Sequence, residues 1–365
     1  MKQKLLYITH VSWGWIKQRP QFLAEGLSTY FDIDVLYRKS NRLTSGWNSK
    51  NAHADSNLSL RGFRNLPFER FEFLPLKPMY KINKLLWNLE FIDLNLYDYI
   101  WVTDSTLWWM IKDSAHQAKV IYDCMDDALE FPYVQRYKKM YDFYKETEAQ
   151  LVKTADYVFC SSAWLAQTLQ QRYATSRHMD IINNAISDSF IGLPKSTAPQ
   201  LSTPTLTYIG TISEWFDFEL ILHALNKYPQ IEVRLYGPIR TSNIPSHERL
   251  KIMGSISHDK IIDTMNEATG LIMPFVVNDL ILSVNPVKLY EYIYSGKPIA
   301  AIKYGETEKF GKYVTLYETQ EDFCRFIEEC ILRPCKTNTS QMRTYALSNT
   351  WSERCKEIVK IISPQ

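Results

Sequence analysis

The chain is 365 residues long, more than twice a typical domain of roughly 150 residues, so two domains are expected rather than one continuous core. Hydrophobic residues make up 45% and charged residues 22%, globular values that exclude disorder, collagen and coiled coil, while 14% aromatic content exceeds what packing alone calls for. With 42 Lys and Arg against 40 Asp and Glu, the net charge of +2 is too balanced for a dedicated nucleic-acid binder.

In chain order, short apolar runs bounded by polar loops alternate with stretches of helical period, the signature of βαβ units and parallel sheets. The opening Met-Lys-Gln-Lys is basic, but only four apolar residues precede Thr9, too few for a signal-peptide core. Lys4–His10 reads instead as a strand, followed by a helix over Gln18–Tyr30 and strands at Asp34–Tyr37, Tyr99–Thr103 and Val120–Asp123. A long helix over Tyr133–Thr154 precedes strands at Tyr157–Cys160 and Asp180–Ile182. Pro194, Ser196, Thr197, Pro199, Ser202, Thr203 and Pro204 spell a linker. A second series then places strands at Thr205–Ile209, Glu232–Tyr236, Gly270–Pro274 and Pro298–Ile302, with helices near Asp217–Lys227, His258–Ala268 and Pro286–Ser295. The expected α/β architecture is two doubly wound parallel-sheet domains, residues 1–190 and 205–340, joined by a linker at 191–204 and facing a cleft. A helical segment at 341–365 has an apolar stripe, Trp351, Cys355, Ile358, Val359, Ile361 and Ile362, that fits either domain. No stretch reaches the roughly 18 to 20 uncharged apolar residues needed to cross a bilayer.

Cys124, Cys160, Cys324, Cys330, Cys335 and Cys355 show no CxxC spacing, and none has a His at zinc-finger distance. Scattered reduced thiols favour the cytosol, so a cytoplasmic protein is expected, at most peripheral on the inner face of the membrane. Glycine is scarce, 12 residues in all. Gly14, Gly210 and Gly237 each follow a strand, where ligands of open α/β sheets bind and glycine lets backbone N–H groups approach an anion. A plain turn explains each of them equally well. Gly296, with Pro298 beyond it, reads as a helix end. No GxGxxG occurs, which disfavours a nicotinamide or flavin enzyme, and dispersed histidines, with no DxD triplet in the acidic cluster Asp123–Asp127, give no reason to expect a metal.

The most informative segment is Asn278–Pro298, after the buried-strand run Leu271–Phe275. Asn285 as N-cap and Pro286 at the first helical position would leave first-turn N–H groups and the positive dipole end open to a phosphate. Lys288 lies in that first turn, where a cation opposes the dipole, so an external anion such as a diphosphate explains it better. Glu291, three residues on, would accept hydrogen bonds from the vicinal hydroxyls of a ribose. The bland alternative is a Lys288–Glu291 pair on a solvated helix face.

Pro274, Glu291, Ser295, Gly296 and Pro298 together resemble the carboxyl-terminal signature of the GT-B glycosyltransferases, especially the retaining family-4 kind that build bacterial surface polysaccharides. The resemblance spans nearly the whole chain and implies two Rossmann-like domains, a nucleotide diphosphate sugar as co-substrate, no cofactor and no metal. It assigns the donor ribose to Glu291. Where the family often has a second Glu, this chain has Ser283. Tyr208–Asp217 resembles the opening strand and loop of the donor domain, putting Gly210 and Thr211 near the diphosphate, with Lys288 and Arg240 serving as its cations. Met253–Ile262 resembles the stretch that meets the nucleobase, which implicates Ser255 and Ile256.

In the amino-terminal half, Val120–Asp127 resembles the family's strand ending in Tyr-Asp, one residue, His-Asp, with Met125 replacing the His. Asp126 is expected beside the reacting sugar or acceptor hydroxyl, with Asp127 as the second catalytic candidate; either is equally an N-cap. Trp13, Gly14 and Trp15 occupy the first strand–helix loop, and Arg19 is expected to meet the donor phosphate or the acceptor. Between Arg61 and Lys84, the cations Arg61, Arg64, Arg70, Lys77, Lys81 and Lys84 interleave with Phe63, Phe68, Phe71, Phe73 and Tyr80. That mixture suits an anionic membrane surface and a lipid-linked saccharide acceptor, or else a packed excursion with solvated charges. The resulting expectation is a sugar transferase. An inverting transferase with an Asp base, a nucleotide-sugar epimerase and a non-catalytic sugar-binding module stand as alternatives.

Overall fold

The computed structural model describes residues 2–13, 17–39, 58–63, 76–88, 92–114, 116–192, 199–257, 260–333 and 337–363. The chain divides into two compact units, one of Met1–Asn184 with Trp351–Gln365 and one of Ala185–Thr350.

The first unit carries strands β1 (Lys4–Thr9), β2 (Asp32–Arg38), β3 (Ser59–Phe63), β4 (Tyr99–Val102), β5 (Lys119–Cys124), β6 (Tyr157–Cys160) and β7 (Asp180–Ile181). They form one parallel sheet in the order β3-β2-β1-β4-β5-β6-β7. Central strands such as β4 are buried at every position, which is why they read as unbroken apolar runs. Helices α1 (Arg19–Leu27), α2 (Leu76–Asn88), α3 (Ser105–Ile111), α4 (Pro132–Gln135), α5 (Lys138–Thr154) and α6 (Ala163–Arg172) connect them. The long helix predicted from Tyr133 is thus two helices, broken at Arg136–Tyr137.

The second unit pairs strands β8 (Thr205–Ile209), β9 (Glu232–Tyr236), β10 (Leu250–Gly254), β11 (Gly270–Met273), β12 (Ile299–Ile302) and β13 (Thr315–Tyr317) in the order β10-β9-β8-β11-β12-β13, all parallel. Its helices are α7 (Phe218–Lys227), α8 (Ile261–Glu267), α9 (Asp279–Ser283), α10 (Val287–Ser295), α11 (Gly305–Glu308), α12 (Gln320–Phe326) and α13 (Thr339–Leu347). Tyr290, Tyr292 and Ile293 of α10 are buried against this sheet, and Gly296 ends the helix in the left-handed region at φ 75°.

The last helix, α14 (Trp351–Ile362), belongs to the first unit. Trp351 stacks on Phe22 at 5.4 Å, and the Tyr99 hydroxyl donates to the Ile362 carbonyl at 3.0 Å. The stretch assigned to the linker lies only partly within the described residues, and the boundary between units falls after Asn184.

Candidate functional site

In an open parallel sheet the chain reverses its winding direction at one point, and loops diverging there leave a crevice beyond the strands' carboxyl ends. In the second unit that point is between β8 and β11. Gly210 follows β8, and its N–H donates to the Tyr236 carbonyl at 2.8 Å, while the Gly237 N–H donates to the Gly254 carbonyl at 2.8 Å. Three glycines thereby cap three adjacent strands. Gly237 has φ 141°, and a Cβ there would lie 1.9 Å from the Gly210 carbonyl oxygen, so only glycine fits. The Thr211 carbonyl accepts from the Tyr208 hydroxyl at 2.9 Å. On the other side, the Val276 N–H donates to the Trp215 carbonyl at 2.8 Å, tying the β8 loop to the β11 loop.

Helix α10 starts beside this crevice. The Tyr292 hydroxyl accepts the Ile209 N–H at 2.8 Å, which fixes that face of α10 on the end of β8. Lys288, one turn earlier on the same face, therefore stands past the strand end. Its ammonium donates to Glu291 Oε2 at 2.8 Å. The helical pair foreseen as the bland alternative exists, but not on a solvated face: the Glu291 side chain is only 8% exposed and that of Lys288 32%. The amides of Val287 and Lys288 have no acceptor among the described residues, as expected for a first helical turn.

The cap differs from expectation. Pro286, with extended backbone, is the residue before the helix, and no side chain caps it. Asn285 is buried and its amide donates to Glu306 Oε2 at 2.8 Å, a partner 21 residues away. Asn285 thus braces the loop instead of capping α10. Ser283 is likewise buried, with its hydroxyl donating to the Leu280 carbonyl at 2.7 Å. Arg240 and Ser255 are exposed and Ile256 half-buried, beyond the ends of β9 and β10.

The first unit reverses winding between β1 and β4. There His10 Nδ1 lies 3.1 Å from Thr103 Oγ1, and burial holds its imidazole below the usual range. Beyond β5, burial pushes the Asp126 carboxyl up to about 7; Arg19 opposes the shift, and Asp123 and Asp127 add to it. No side-chain hydrogen bond or ion pair reaches that carboxylate among the described residues. Tyr133, half exposed, feels the charges of Asp104, Asp126 and Arg38, so these groups from several strand ends share one neighbourhood. His10 and Tyr133 were not singled out in the sequence, because nothing local marks a residue that matters through the winding of a sheet.

Two of the candidate residues make structural contacts. Asp127 is engaged structurally: it caps the turn at Ala128–Glu130 and binds Arg172 through both carboxylate oxygens, at 2.9 and 2.5 Å. Both of its oxygens are thus engaged with protein groups, in line with the cap reading of this residue. Arg19 is buried, and its guanidinium holds Asp123 at 2.7 Å, the Ile182 carbonyl at 2.7 Å and Asn184 at 3.2 Å. Four of its five N–H donors are engaged with these protein groups, which makes it an internal staple of the first unit. Trp13 lies 6.3 Å from Tyr37, and Arg61 is exposed on β3. Gly14, Trp15, Arg64 and Arg70 lie outside the described residues. Among those described, no three His, Cys, Asp or Glu side chains converge to hold a metal ion.

No family model matches the chain. It is 25% identical over 264 residues to TuaH of Bacillus subtilis (strain 168), named as a teichuronic acid biosynthesis glycosyltransferase; the match covers 66% of this chain and 66% of that protein. The match thus stops just short of two thirds of the relative's length. Among solved structures, sucrose-phosphate synthase from Thermosynechococcus elongatus superposes with a TM-score of 0.73 at 13% identity, covering 99% of this chain and 98% of that one. HepE of Anabaena, solved in complex with UDP and glucose, gives 0.68 at 15% identity over the full length of both chains. The E. coli trehalose-6-phosphate structure bound with UDP-2-fluoro glucose gives 0.72 at 8% identity over 99% of each.

Proposed function

We propose that this chain, whose fold is that of the GT-B glycosyltransferases, transfers a sugar from a nucleoside diphosphate to a saccharide acceptor, lipid-linked, during cell-surface polysaccharide assembly. The observation that carries the reading is the Lys288–Glu291 pair at the open start of α10, beside the winding reversal of the second unit. Glu291, partly withdrawn from water, accepts the ribose hydroxyls. The Lys288 ammonium has three donors and spends one on Glu291, leaving two for the diphosphate. The similarity to TuaH and the UDP-glucose and UDP complexes of structural neighbours support the same donor class.

As the sugar C1–O bond breaks, negative charge collects on the departing diphosphate. Lys288 and the amides of the first turn stabilise that charge more than they stabilise the bound donor, which is what accelerates the step. The mechanism runs with retention and without metal: the leaving phosphate oxygen takes the acceptor hydroxyl's proton, and the acceptor oxygen bonds to C1 on the face that the diphosphate leaves. Ionised Asp126 orients that hydroxyl. A second reading, inversion with Asp126 as the base, draws on the elevated titration of this carboxylate, which suits proton transfer near neutrality.

Calorimetry with UDP and GDP tests the donor site. Lys288→Ala and Glu291→Ala should each weaken binding roughly 10- to 100-fold, the worth of a hydrogen bond to a charged group. Binding untouched by both changes would overturn the assignment. The anomeric configuration of the product, read by proton NMR, separates retention from inversion.

A further inference from the structure

Helix α2 (Leu76–Asn88) presents apolar residues on two opposite sides. Tyr80 and Asn83 face inward and are buried, with Tyr80 packed on Phe143 at 4.5 Å and on Trp109 at 5.9 Å. A helix of the protein surface should be polar on its other side. Here Ile82, Leu85 and Leu86 point outward, 41%, 61% and 37% exposed, at the i, i+3, i+4 spacing of one continuous ridge. Single exposed leucines are ordinary, but three on adjacent turns form a patch.

Charge identifies the occupant. The helix contains Lys77, Lys81 and Lys84 and not one Asp or Glu. At 100° per residue these three lysines fall along one edge of the apolar ridge. Lys77 and Lys84 reach back to Glu146 at 2.7 Å and Asp113 at 3.3 Å, while Lys81 is exposed. A second copy docked antiparallel on this face would set like-charged edges against each other. An anionic bilayer meets both halves of the pattern: acyl chains take the ridge, and headgroup phosphates take the ammonium groups at its edge.

We infer that α2 is the membrane-docking element of this protein, lying in the headgroup plane of an anionic bilayer with Ile82, Leu85 and Leu86 inserted. The inference rests on the proposed function for its purpose, since a lipid-linked acceptor would then reach the enzyme in the plane of that surface. The physical claim about α2 is separable from it.

Flotation with vesicles of phosphatidylcholine alone, and of phosphatidylcholine with 30% phosphatidylglycerol, tests it on the full chain. The protein should float with the anionic vesicles, stay behind with the neutral ones, and release as salt screens the lysines. Ile82→Ser/Leu85→Ser/Leu86→Ser should reduce vesicle binding at least tenfold, and Lys81→Glu severalfold, with UDP calorimetry unchanged in both. Ile82 and Leu86 are partly covered, so the triple variant loses some packing; Leu85→Ser alone, 61% exposed, removes the least and checks binding without that cost. Failure of the native protein to float, equal flotation of the triple variant, or a dimer that the triple variant dissociates would overturn the inference. Loss of nucleotide binding with flotation intact would instead count against the proposed function and leave the docking of α2 standing.

Discussion

At the end of β5 and just beyond it, two acids experience burial in opposite ways. Asp123 is matched by Arg19, a pair in which both side chains are almost fully enclosed. Removing one partner leaves a buried charge alone, so Arg19→Met should cost about 3–5 kcal/mol in a urea titration. A phosphate-binding Arg19 would behave otherwise, with stability kept and nucleotide affinity lost; calorimetry on the same variant should show affinity kept. That staple was illegible in the sequence because its partners lie 104 to 165 residues away. Asp126 has no such match, and burial raises its pKa from 3.8 to about 7. Between those values the folded state holds a proton that the unfolded chain releases, so stability falls as pH rises. Asp126→Asn should therefore melt higher than the native protein at pH 8, with the difference closing near pH 4. A pH-independent difference would defeat the assignment. Its activity should fall about 10- to 100-fold if Asp126 orients the acceptor, and by about 10²–10⁴ if it is the base. Native kcat/KM should climb with pH and level off above about 7, where the carboxylate is ionised.

Elements were legible where burial is two-sided. Tyr157–Cys160 was read to the residue, and β8 likewise, because strands covered on both faces leave unbroken apolar runs. The strands missed, β3, β10 and β13, are all at sheet edges, and β10 buries little beyond Leu250. Half-solvated edges carry too few apolar residues to stand out from loop. That omission hid Gly254, and with it the contact that the Gly237 N–H makes at the end of β9. Helix α10 was found through its apolar face, yet its cap was misassigned: Asn285 suits a cap by type, and only the tertiary partner Glu306 shows where its amide goes. The glycine pair offers a graded test. Gly237→Ala drives a methyl into the Gly210 carbonyl and should cost roughly 2–4 kcal/mol while weakening nucleotide binding. Gly254→Ala, at φ 77° with open space around it, should cost only the left-handed penalty of roughly 1–2 kcal/mol. Equal denaturation midpoints for the two variants would mean that the close approach of β8 and β9 is not what selects glycine at position 237.

At the scale of the molecule, alternation of runs and periods disclosed two wound sheets, but not where the last helix belongs. An apolar stripe such as that of α14 fits any complementary groove, and its seat is set by shape: Trp351 against Phe22, and Cys355 beside Gly26, where an added Cβ would lie 2.5 Å from the Cys355 Sγ. Assigning α14 to the first unit, opposite the proposed nucleotide site of the second, has a calorimetric consequence. Two units with separate cores should unfold in two transitions. A nucleoside diphosphate at 100 times its Kd stabilises its own unit by about 2.7 kcal/mol, so one transition should rise by roughly 5–10 °C while the other stays in place. Trp351→Ala empties a buried seat in the first unit and should cost about 3–5 kcal/mol there. It should lower the transition that the nucleotide leaves alone. If the same transition responds to both, either α14 stabilises the nucleotide-binding unit or the nucleotide sits on the first one, and calorimetry of Glu291→Ala distinguishes these: lost affinity keeps the nucleotide on the second unit and puts the error in the placement of α14.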